Sequence, residues 1–471
     1  MGKGEADLWV TRLGERTAVH KRAWGQTRRS VLAGLAVTSG GALAACGSAG
    51  GSDGTAAPQP SKAPVTLTAM IGINELQVTR FPSEIGQAYK QVKPNVTLEA
   101  LPQVLSGQLG TTQAVFERLT AMVAGGSPPD IFEAPRHAEL MVEKGFTDTT
   151  MDALMKRDKY KTDVYNPKEF ATRAVYQGKT VQMPWKLGGN SLVMLLNTDL
   201  FQKAGVPLPS ADLSKAWSWE DMTSAAVKLT RRSGSDVQQW GLNGLAWTIG
   251  SWPLLWQADW MSQDLKSVTC DTTDMVDCYT RLHDLHHKHR VVPLPGEAAQ
   301  LFGTANLFNT GRAAMQTGAV GSWPTYVNAK PEVPIMVVPI PKVKISTPDV
   351  NSHQMSILKE SKSKGDAWEA IKYMIDEARL PRLTERMPAR LDHLEAFVKD
   401  TTKASPKVDT KLVLDVARNF VPQSNVTRHL NQDAMLDAIN AQLNDLWANK
   451  IAPGPMLKAL KPQLEGIAAR K

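Results

Sequence analysis

The sequence predicts an α/β protein with more than one lobe, built on mostly parallel sheets. Strand patterns and helix patterns alternate from Val65 onward, which indicates βαβ units. The 471 residues are 42% hydrophobic, so the chain beyond its N-terminal segment can bury a large core, and its length favours more than one lobe. No segment beyond residue 45 is apolar for long enough to span a membrane.

The N-terminus has the order of features that is typical of an export signal. Arg28 and Arg29 precede a short apolar run that ends in small residues before Cys46. The paired arginines resemble a twin-arginine signal. Residues 43–46 (LAAC) resemble a bacterial lipobox, in which the cysteine is lipidated and the chain is cleaved before it. We therefore predict a signal peptide over residues 1–45 and a mature chain held by a lipid on Cys46, at the outer face of the cell membrane or in the periplasm.

The segment after Cys46 is rich in Gly, Ser and Pro, so residues 46–64 are predicted to be a flexible tether. The formal net charge is +8, but the leader carries seven basic and three acidic residues. Its removal leaves 47 basic and 43 acidic residues, a balance of +4. A balance this small does not indicate a nucleic-acid partner, and none is predicted.

The first block of the mature chain carries three predicted strands and three predicted helices. β-branched alternation places the strands at residues 65–70, 96–101 and 130–132. Apolar residues at helical spacing place the helices at residues 83–93, 112–123 and 137–144. Ligands bind at the carboxyl ends of strands in such sheets, which here are residues 72–75, 102–103 and 133–136. None of these ends carries a glycine-rich phosphate fingerprint, so no nucleotide or other cofactor is predicted.

The second block begins with two apolar stretches around Pro184 and Trp185, within residues 180–197. Ser218 and Asp221 predict a capping box that starts a helix running to about Thr230. Further helices are predicted at residues 274–287 and 366–377, with a strand at 335–340. The tail from 411 to 469 is predicted to be mostly helical, with a break at 453–455.

Tryptophan is the strongest functional signal, because the chain has 13 Trp against 10 Phe and 7 Tyr. A Trp face stacks on the apolar face of a sugar, and nearby carboxylates and amides fix the hydroxyl groups. Trp185 and Trp323 are predicted to lie in loops beside Pro or Gly, where helix packing does not need them, and are the stronger candidates. Five more lie between residues 240 and 260: Trp240, Trp247, Trp252, Trp256 and Trp260. Their spacing also fits a helix core, so we expect about half of these five to be core residues. The polar candidates near them are Asp259, Gln257, Asn190 and Lys186.

Other chemistry finds little support in the sequence. His283 and His287 have the spacing of a helical metal pair, but no third ligand is placed nearby, so no metal is predicted. Residues 50–54 match the G-x-S-x-G pattern without the preceding strand that would give it meaning. Cys270 and Cys278 are either a disulfide or two separate buried thiols, and the sequence leaves both open.

The most specific stretch is residues 308–315 (FNTGRAAM), followed by residues 321–323 (GSW). It is similar to the F-x-x-G-x-x-A-M … G-x-W signature of the extracellular solute-binding proteins, family 1, which deliver sugars to ABC importers and include maltose-binding protein. Supporting segments lie at residues 129–132, 183–197, 217–221 and 367–371, and residues 387–390 resemble the family's P-x-R turn. The resemblance covers the chain from about Val65 to its end.

The resemblance implies a periplasmic-binding-protein-like fold of class II, with two α/β lobes joined by hinge strands and a ligand cleft between them. The first lobe would comprise residues 65–182 plus 340–380, and the second 183–339 plus 381–471. Crossings would lie near 181–187, 337–341 and 379–383. The family signature nominates Trp323 for stacking on sugar and Arg390 in the P-x-R turn. The loops after the first and third strands nominate Asn74, Glu75, Glu133 and Arg136. Residues 257–260 (QADW) stand where many members have Q-A-G-G, which places a carboxylate and a Trp at glycine positions.

By this resemblance the chain is a monomeric receptor for a small-molecule solute and has no catalytic residue. It would close by hinge bending on a sugar or oligosaccharide, and its closed shape would be recognised by the ABC permease. Two alternatives stay open. The same fold could bind a polyol, a phosphorylated polyol or a peptide, or the chain could be a surface glycan-degrading enzyme, whose carboxylate pair is defined only in space.

Overall fold

The structure is a computed structural model. It describes residues 57–72, 75–103, 112–134, 137–188, 192–234, 236–245, 249–294, 297, 307–320, 333–346, 352–403, 411–419 and 424–470. The predicted signal peptide, Cys46 and the first part of the predicted tether lie outside these residues. In the described part of the chain, no helix combines the length and apolar character needed to cross a bilayer.

Strands and helices alternate along the chain, as predicted, but both large sheets are mixed rather than mostly parallel. The strands are β1 (Val65–Ile71), β2 (Val96–Pro102), β3 (Ile131–Ala134), β4 (Val175–Tyr176), β5 (Lys179–Thr180), β6 (Met183–Leu187), β7 (Leu192–Asn197), β8 (Arg231–Ser233), β9 (Asp236–Asn243), β10 (Ala313–Ala319), β11 (Ile335–Pro339) and β12 (Ser352–Ile357). The helices are α1 (Glu75–Phe81), α2 (Gln87–Val92), α3 (Thr112–Ala124), α4 (Ala138–Glu143), α5 (Thr150–Asp158), α6 (Pro167–Arg173), α7 (Thr198–Lys203), α8 (Trp219–Leu229), α9 (Ser251–Leu255), α10 (Thr273–His287), α11 (Lys364–Ile375), α12 (Arg379–Leu383), α13 (Leu391–Thr402), α14 (Lys411–Arg418), α15 (Gln432–Trp447) and α16 (Pro453–Ala468).

Five strands form the sheet of the first lobe, in the order β2-β1-β3-β12-β6. β1 is parallel to β2 and β3, whereas β12 is antiparallel to β3 and to β6. β1, β3 and β6 therefore end at the same edge of the sheet, and β12 begins there. This is the edge at which ligands are expected in an α/β fold.

A second five-stranded sheet, in the order β11-β7-β10-β9-β8, forms the second lobe. Alternate residues of β7 enter different cores: Val193 and Leu195 join the core that continues into the first lobe, while Met194 and Leu196 join the second core. This period of two is what a strand buried on both faces requires. The second core also receives α15 and α16.

Of the three predicted crossings, the structure has passages between the sheets near the first two and a helix at the third. Because β6 pairs with β12, the first passage lies between Leu187 and Leu192, after the predicted boundary at 182/183. The return lies between Pro339 and Ser352. Residues 379–383, where a third crossing was expected, form α12 and pack on α1 and β6 within the first lobe. The chain has reached the second sheet by α14, which packs on β11.

Local signals explain several element bounds. The predicted capping box is confirmed, because the Asp221 amide donates to Ser218 Oγ at 3.0 Å and the Ser218 amide donates to Asp221 Oδ2 at 3.2 Å. Pro453 does not interrupt the tail as expected. It stands in the first turn of α16, where its missing N–H costs nothing, and the break precedes it.

The two cysteines of the second lobe are separate free thiols that are both buried. Cys270 Sγ lies 3.6 Å from the carbonyl oxygen of Leu457, to which it donates. Burial raises the pKa of the Cys270 thiol to about 12 and raises that of Cys278 well above its usual value, so both stay protonated. Of the two arrangements that the sequence left open, the structure has the pair of buried thiols.

Part of the predicted tether is not free. Residues 57–64 pack against the first lobe, because several of their backbone carbonyls find side-chain donors there. The prediction of a flexible tether over residues 46–64 is therefore wrong for residues 57–64.

Candidate ligand-binding site

A cavity of about 860 Å³ lies between the two lobes. This volume is within the range of about 300–1,000 Å³ that small-molecule sites occupy. The first lobe contributes His137, Glu139, Glu143, Ala171, Thr172, Val175, Tyr176 and Gln177. The second lobe contributes Leu254, Gln257, Ala258, Asp259, Gln263, Ile345, Asn425 and Arg428.

The first-lobe wall is built just beyond the end of β3. His137 is the N-cap residue of α4, which places Glu139 in the first turn of that helix. The His137 ring contacts the neighbouring α6, because its Nδ1 lies 3.2 Å from the carbonyl oxygen of Thr172. The β4–β5 hairpin adds Tyr176 and Gln177 at its turn. The wall therefore begins one residue beyond the predicted contact loop 133–136.

The second-lobe wall is organised by Asp259. Its Oδ1 accepts from the Trp260 amide at 2.7 Å and from Ser424 Oγ at 2.5 Å, and its Oδ2 accepts from the Asn425 amide at 2.8 Å. Burial raises the pKa of Asp259 to about 6, although these hydrogen bonds act in the opposite direction. Asp259 thus joins the turn after α9 to the 3₁₀ turn Asn425–Arg428, and both turns line the cavity.

Gln257 and Arg428 are two of the polar side chains that these turns present to the cavity. Gln257 has φ of +54°, an unusual backbone conformation for a residue with a side chain, and it is exposed in the cavity wall. Arg428 Nη1 donates to the carbonyl oxygen of Gln263 at 3.2 Å and to Asn425 Oδ1 at 3.4 Å. Both partners are neutral, so the guanidinium charge is not cancelled by them.

Glu133, predicted as a ligand contact, is instead 2% exposed and held by protein groups. Its carboxylate accepts from the Gly72 amide at 2.7 Å and from His353 Nδ1, and it lies 3.3 Å from Lys186 Nζ. Burial alone would raise the pKa of Glu133, but Lys186 and His353 lower it to about 2. A Cβ on Gly72 would lie 2.7 Å from Glu133 Oε2, so the site requires glycine there. The cluster ties the ends of β1, β3 and β6 to the start of β12.

Trp252 and Trp256, also predicted as ligand contacts, are buried in the second core. Both meet Trp219 in edge-to-face contacts, with ring centroids 5.7 Å and 5.3 Å apart. Trp256 Nε1 donates to Asp277 Oδ2 at 2.7 Å, and Asp277 does not line the cavity. Trp240 and Trp260 are buried as well, so the core takes a larger part of this group than the half expected from the spacing. Their faces are covered by protein and not available for a sugar.

Two further predicted contacts have structural roles. Trp185 lies in β6 rather than in a loop, is 1% exposed, and has Lys186 Nζ 4.2 Å from its ring centroid. Arg390 pairs with Asp376 at 2.6 Å and with Asp392 at 2.8 Å, so its guanidinium fixes the segment after α12 to the end of α11. The P-x-R pattern is therefore explained by this pairing.

Several predicted contacts lie outside the described residues and stay predictions. They are Trp323, Trp247, Arg136, Asn74, Asn190 and the side chain of Glu75.

The histidine pair of α10 has a packing role. The rings of His283 and His287 stack at 4.3 Å. Their Nε2 atoms lie 3.1 Å from Asn449 Oδ1 and from the carbonyl oxygen of Trp447, respectively. Among the described residues, no group of three or more His, Cys, Asp or Glu side chains is arranged to hold a metal ion.

Sequence reasoning missed most of the cavity wall. His137 directly follows the predicted loop 133–136, so extending that loop by one residue would have found it. Tyr176 and Gln177 precede Gly178, which is a turn signal between short strands. Asn425 and Arg428 carry no local signal, because the hydrogen bonds of Asp259 bring them to the cavity from 166 residues along the chain.

Comparisons with known proteins agree with this architecture. The model of the family described as bacterial extracellular solute-binding protein matches residues 75–378. The structure of the ABC substrate-binding protein Lmo0181 from Listeria monocytogenes in complex with cycloalternan is similar, with a TM-score of 0.69 and 20% identity, over 87% of this chain and 100% of that one. The maltose/maltodextrin-binding domain MalE from Bdellovibrio bacteriovorus, bound to maltotriose, gives 0.61 and 17%, over 85% and 99%.

A third structure, an ABC transporter solute-binding protein from Thermotoga lettingae bound with α-D-tagatose, gives a TM-score of 0.62 and 18% identity, over 86% of this chain and 100% of that one. At these identities the likeness shows the fold, which confirms the predicted two-lobed class II architecture. No protein with a curated description matches the chain.

Proposed function

Because the chain belongs to the family of bacterial extracellular solute-binding proteins, we propose that it captures a sugar or an oligosaccharide in the cavity between its lobes and delivers it to the permease of an ABC importer. The observation that carries the proposal is that one cavity of about 860 Å³ draws hydrogen-bonding side chains from both lobes. A solute held by both walls makes contacts that only the closed arrangement provides, so it shifts the population toward closure.

The chemistry of the walls suits a polyhydroxylated solute. Sugar hydroxyls both donate and accept hydrogen bonds, and the cavity offers acceptors and donors together. Glu139 accepts, Arg428 donates, and the amides of Gln257, Gln263 and Asn425 do both. Tyr176 provides an aromatic face of the kind that packs on a sugar ring. The sugars bound in the similar structures support the same solute class for this chain.

The test is a melting-temperature screen of the purified protein against monosaccharides, oligosaccharides, polyols and peptides. Binding to the folded state alone adds about 2.7 kcal/mol at a concentration of 100 times Kd, so a true solute should raise Tm by several degrees. Arg428→Ala should weaken that shift, whereas Arg231→Ala, on the exposed strand β8, should leave it unchanged. A shift with a polyol or peptide and with no sugar would contradict the solute class proposed here.

We also propose that Cys46 carries the lipid that holds the receptor beside its permease, which raises their effective concentration. The order of features in residues 1–46 supports this. Cys46→Ser should move the protein from the membrane fraction of expressing cells to the soluble fraction. Membrane retention of that variant would contradict the anchor while leaving the proposed solute binding untouched.

The receptor is proposed to bind without turnover. A glycan-degrading enzyme of this fold would release product from a polysaccharide, with the loss of release on changing one carboxylate. We expect the sugar that shifts Tm to be recovered unchanged after prolonged incubation, as measured by chromatography.

A further inference from the structure

Residues 57–63, which we call the strap, are held by the first lobe at several points. Arg157 Nη1 donates to the carbonyl oxygen of Pro58 at 2.6 Å, and the Ser61 amide donates to Asp366 Oδ2 at 2.9 Å. Asn95 Nδ2 donates to the carbonyl oxygens of Ser61 and Ala63 at 2.9 Å and 3.0 Å. These donors and acceptors come from α5, α11 and the turn before β2, all of which belong to the first lobe.

The receiving surface is shaped for this segment. Asp366 is 3% exposed, so its carboxylate is buried with the Ser61 amide as a partner. Arg157 forms ion pairs with Asp158 and Glu369, which hold its guanidinium in place to donate to the carbonyl oxygen of Pro58. Gly365 is buried in the first turn of α11, and a Cβ there would lie 2.5 Å from the carbonyl carbon of Gln59. This glycine is in a helical conformation, so what excludes a side chain is the strap and not the backbone.

The strap sequence also favours docking. Pro58 and Pro60 lack an N–H, so they bring no donor that burial would leave unpaired. They also restrict the conformations of the undocked segment, so less conformational entropy is lost when the strap docks.

We infer that the strap is a structural part of the first lobe and that it fixes the place where the N-terminal tether leaves the protein. The tether departs beside the start of α11, and the residues that hold the strap are different from those that line the inter-lobe cavity. Only residues 47–56 then remain between the strap and Cys46. With the lipid anchor proposed above, on which this consequence rests, the lipid is joined directly to the first lobe and reaches the second lobe only through it.

A double-mutant cycle in the full chain tests the strap. Gly365→Ala should lower Tm, because the new methyl group displaces Gln59, although alanine is the better helix former. When the strap is released by Ser61→Pro and Asn95→Ala, which remove three of the hydrogen bonds to its backbone, the same substitution should raise Tm or leave it unchanged. Gly466→Ala is the matched control: Gly466 is exposed in α16 with nothing within 4 Å of its added Cβ, so its effect should be equal in both backgrounds. An equal effect of Gly365→Ala in both backgrounds would overturn the inference.

Hydrogen exchange provides a second measurement that leaves the strap sequence unchanged. The Ser61 amide should exchange at least about tenfold more slowly than an unstructured peptide, and Gly365→Ala should remove that protection. Exchange of Ser61 at the unstructured rate in the unmodified chain overturns the docked strap.

The solute-induced rise in Tm should be the same in the unmodified chain and in Gly365→Ala, because Gly365 does not line the cavity. Loss of the shift in the variant alone would overturn the separation of strap and cavity. If the solute raises Tm in neither protein, the proposed solute is contradicted. The double-mutant cycle, which needs no solute, still tests the strap.

Discussion

The Asn425 amide donates to Asp259 Oδ2 at 2.8 Å across 166 residues of sequence. This bond, together with that from Ser424, holds the 3₁₀ turn that carries Arg428 against the turn that carries Gln257. The second wall of the cavity therefore depends on one buried carboxylate.

Asp259→Asn should change how stability depends on pH. The pKa of Asp259 is raised to about 6 in the folded protein from about 4 in the unfolded chain, so the folded state holds the proton more tightly. Its contribution to stability is present below pH 4 and is lost as pH rises through 6. The unmodified protein should thus lose up to about 3 kcal/mol relative to the variant between pH 4 and pH 7. Chemical denaturation of both proteins over this range measures the difference in their free energies of unfolding. The other titrating groups are the same in both proteins, so their contributions cancel in this difference.

A difference that stays constant from pH 4 to pH 7 would contradict the raised pKa. The Asn425 and Ser424 bonds to an amide oxygen should survive in part, so we expect solute affinity to fall less in Asp259→Asn than in Asp259→Ala.

Glu133→Gln should destabilise the first lobe by about 3–5 kcal/mol, because it leaves the buried Lys186 without its counter-charge. The lowered pKa of Glu133 means that its stabilising contribution is present above about pH 4.5 and is lost as pH falls through about 2. Urea unfolding at pH 7 measures the loss. The double variant Glu133→Gln/Lys186→Met is the control, and it should be more stable than Glu133→Gln alone; if it is less stable, the ion pair is not the cause.

The sequence predicted the fold better than the site, for a physical reason that these residues show. Strand alternation and the Ser218 capping box are local, so the α/β elements could be read directly. Glu133 and Arg390 look like ligand contacts in sequence, yet each is neutralised by a partner that only the fold brings near, Lys186 and Asp376. Arg428 is the opposite case, because it lines the cavity although nothing near it in the sequence indicates a ligand contact.

Substitutions of two tryptophans should distinguish a core residue from a ligand contact by their effects on stability and on Kd. Trp256→Phe should lower stability by about 1–3 kcal/mol, because it loses the bond to Asp277 and buried volume, while Kd for the solute stays unchanged. Trp323→Ala should raise Kd about tenfold or more, through loss of sugar stacking, with a small change in stability. Isothermal titration and thermal unfolding of both variants measure the two effects. If Trp256→Phe alters Kd while Trp323→Ala does not, the assignment of these residues is reversed.

The free thiols of Cys270 and Cys278 give the last prediction. Because the two are not bridged, a reducing agent should leave Tm unchanged, whereas reduction of a native disulfide lowers stability by about 2–5 kcal/mol. Burial and the raised pKa values keep both thiols protonated, so a thiol reagent should label neither in the folded protein. In a Cys46→Ser background, unfolding should expose both to the reagent, counted by mass spectrometry. Incomplete labelling after unfolding without reductant, made complete by reductant, would show that the exported protein forms the bridge.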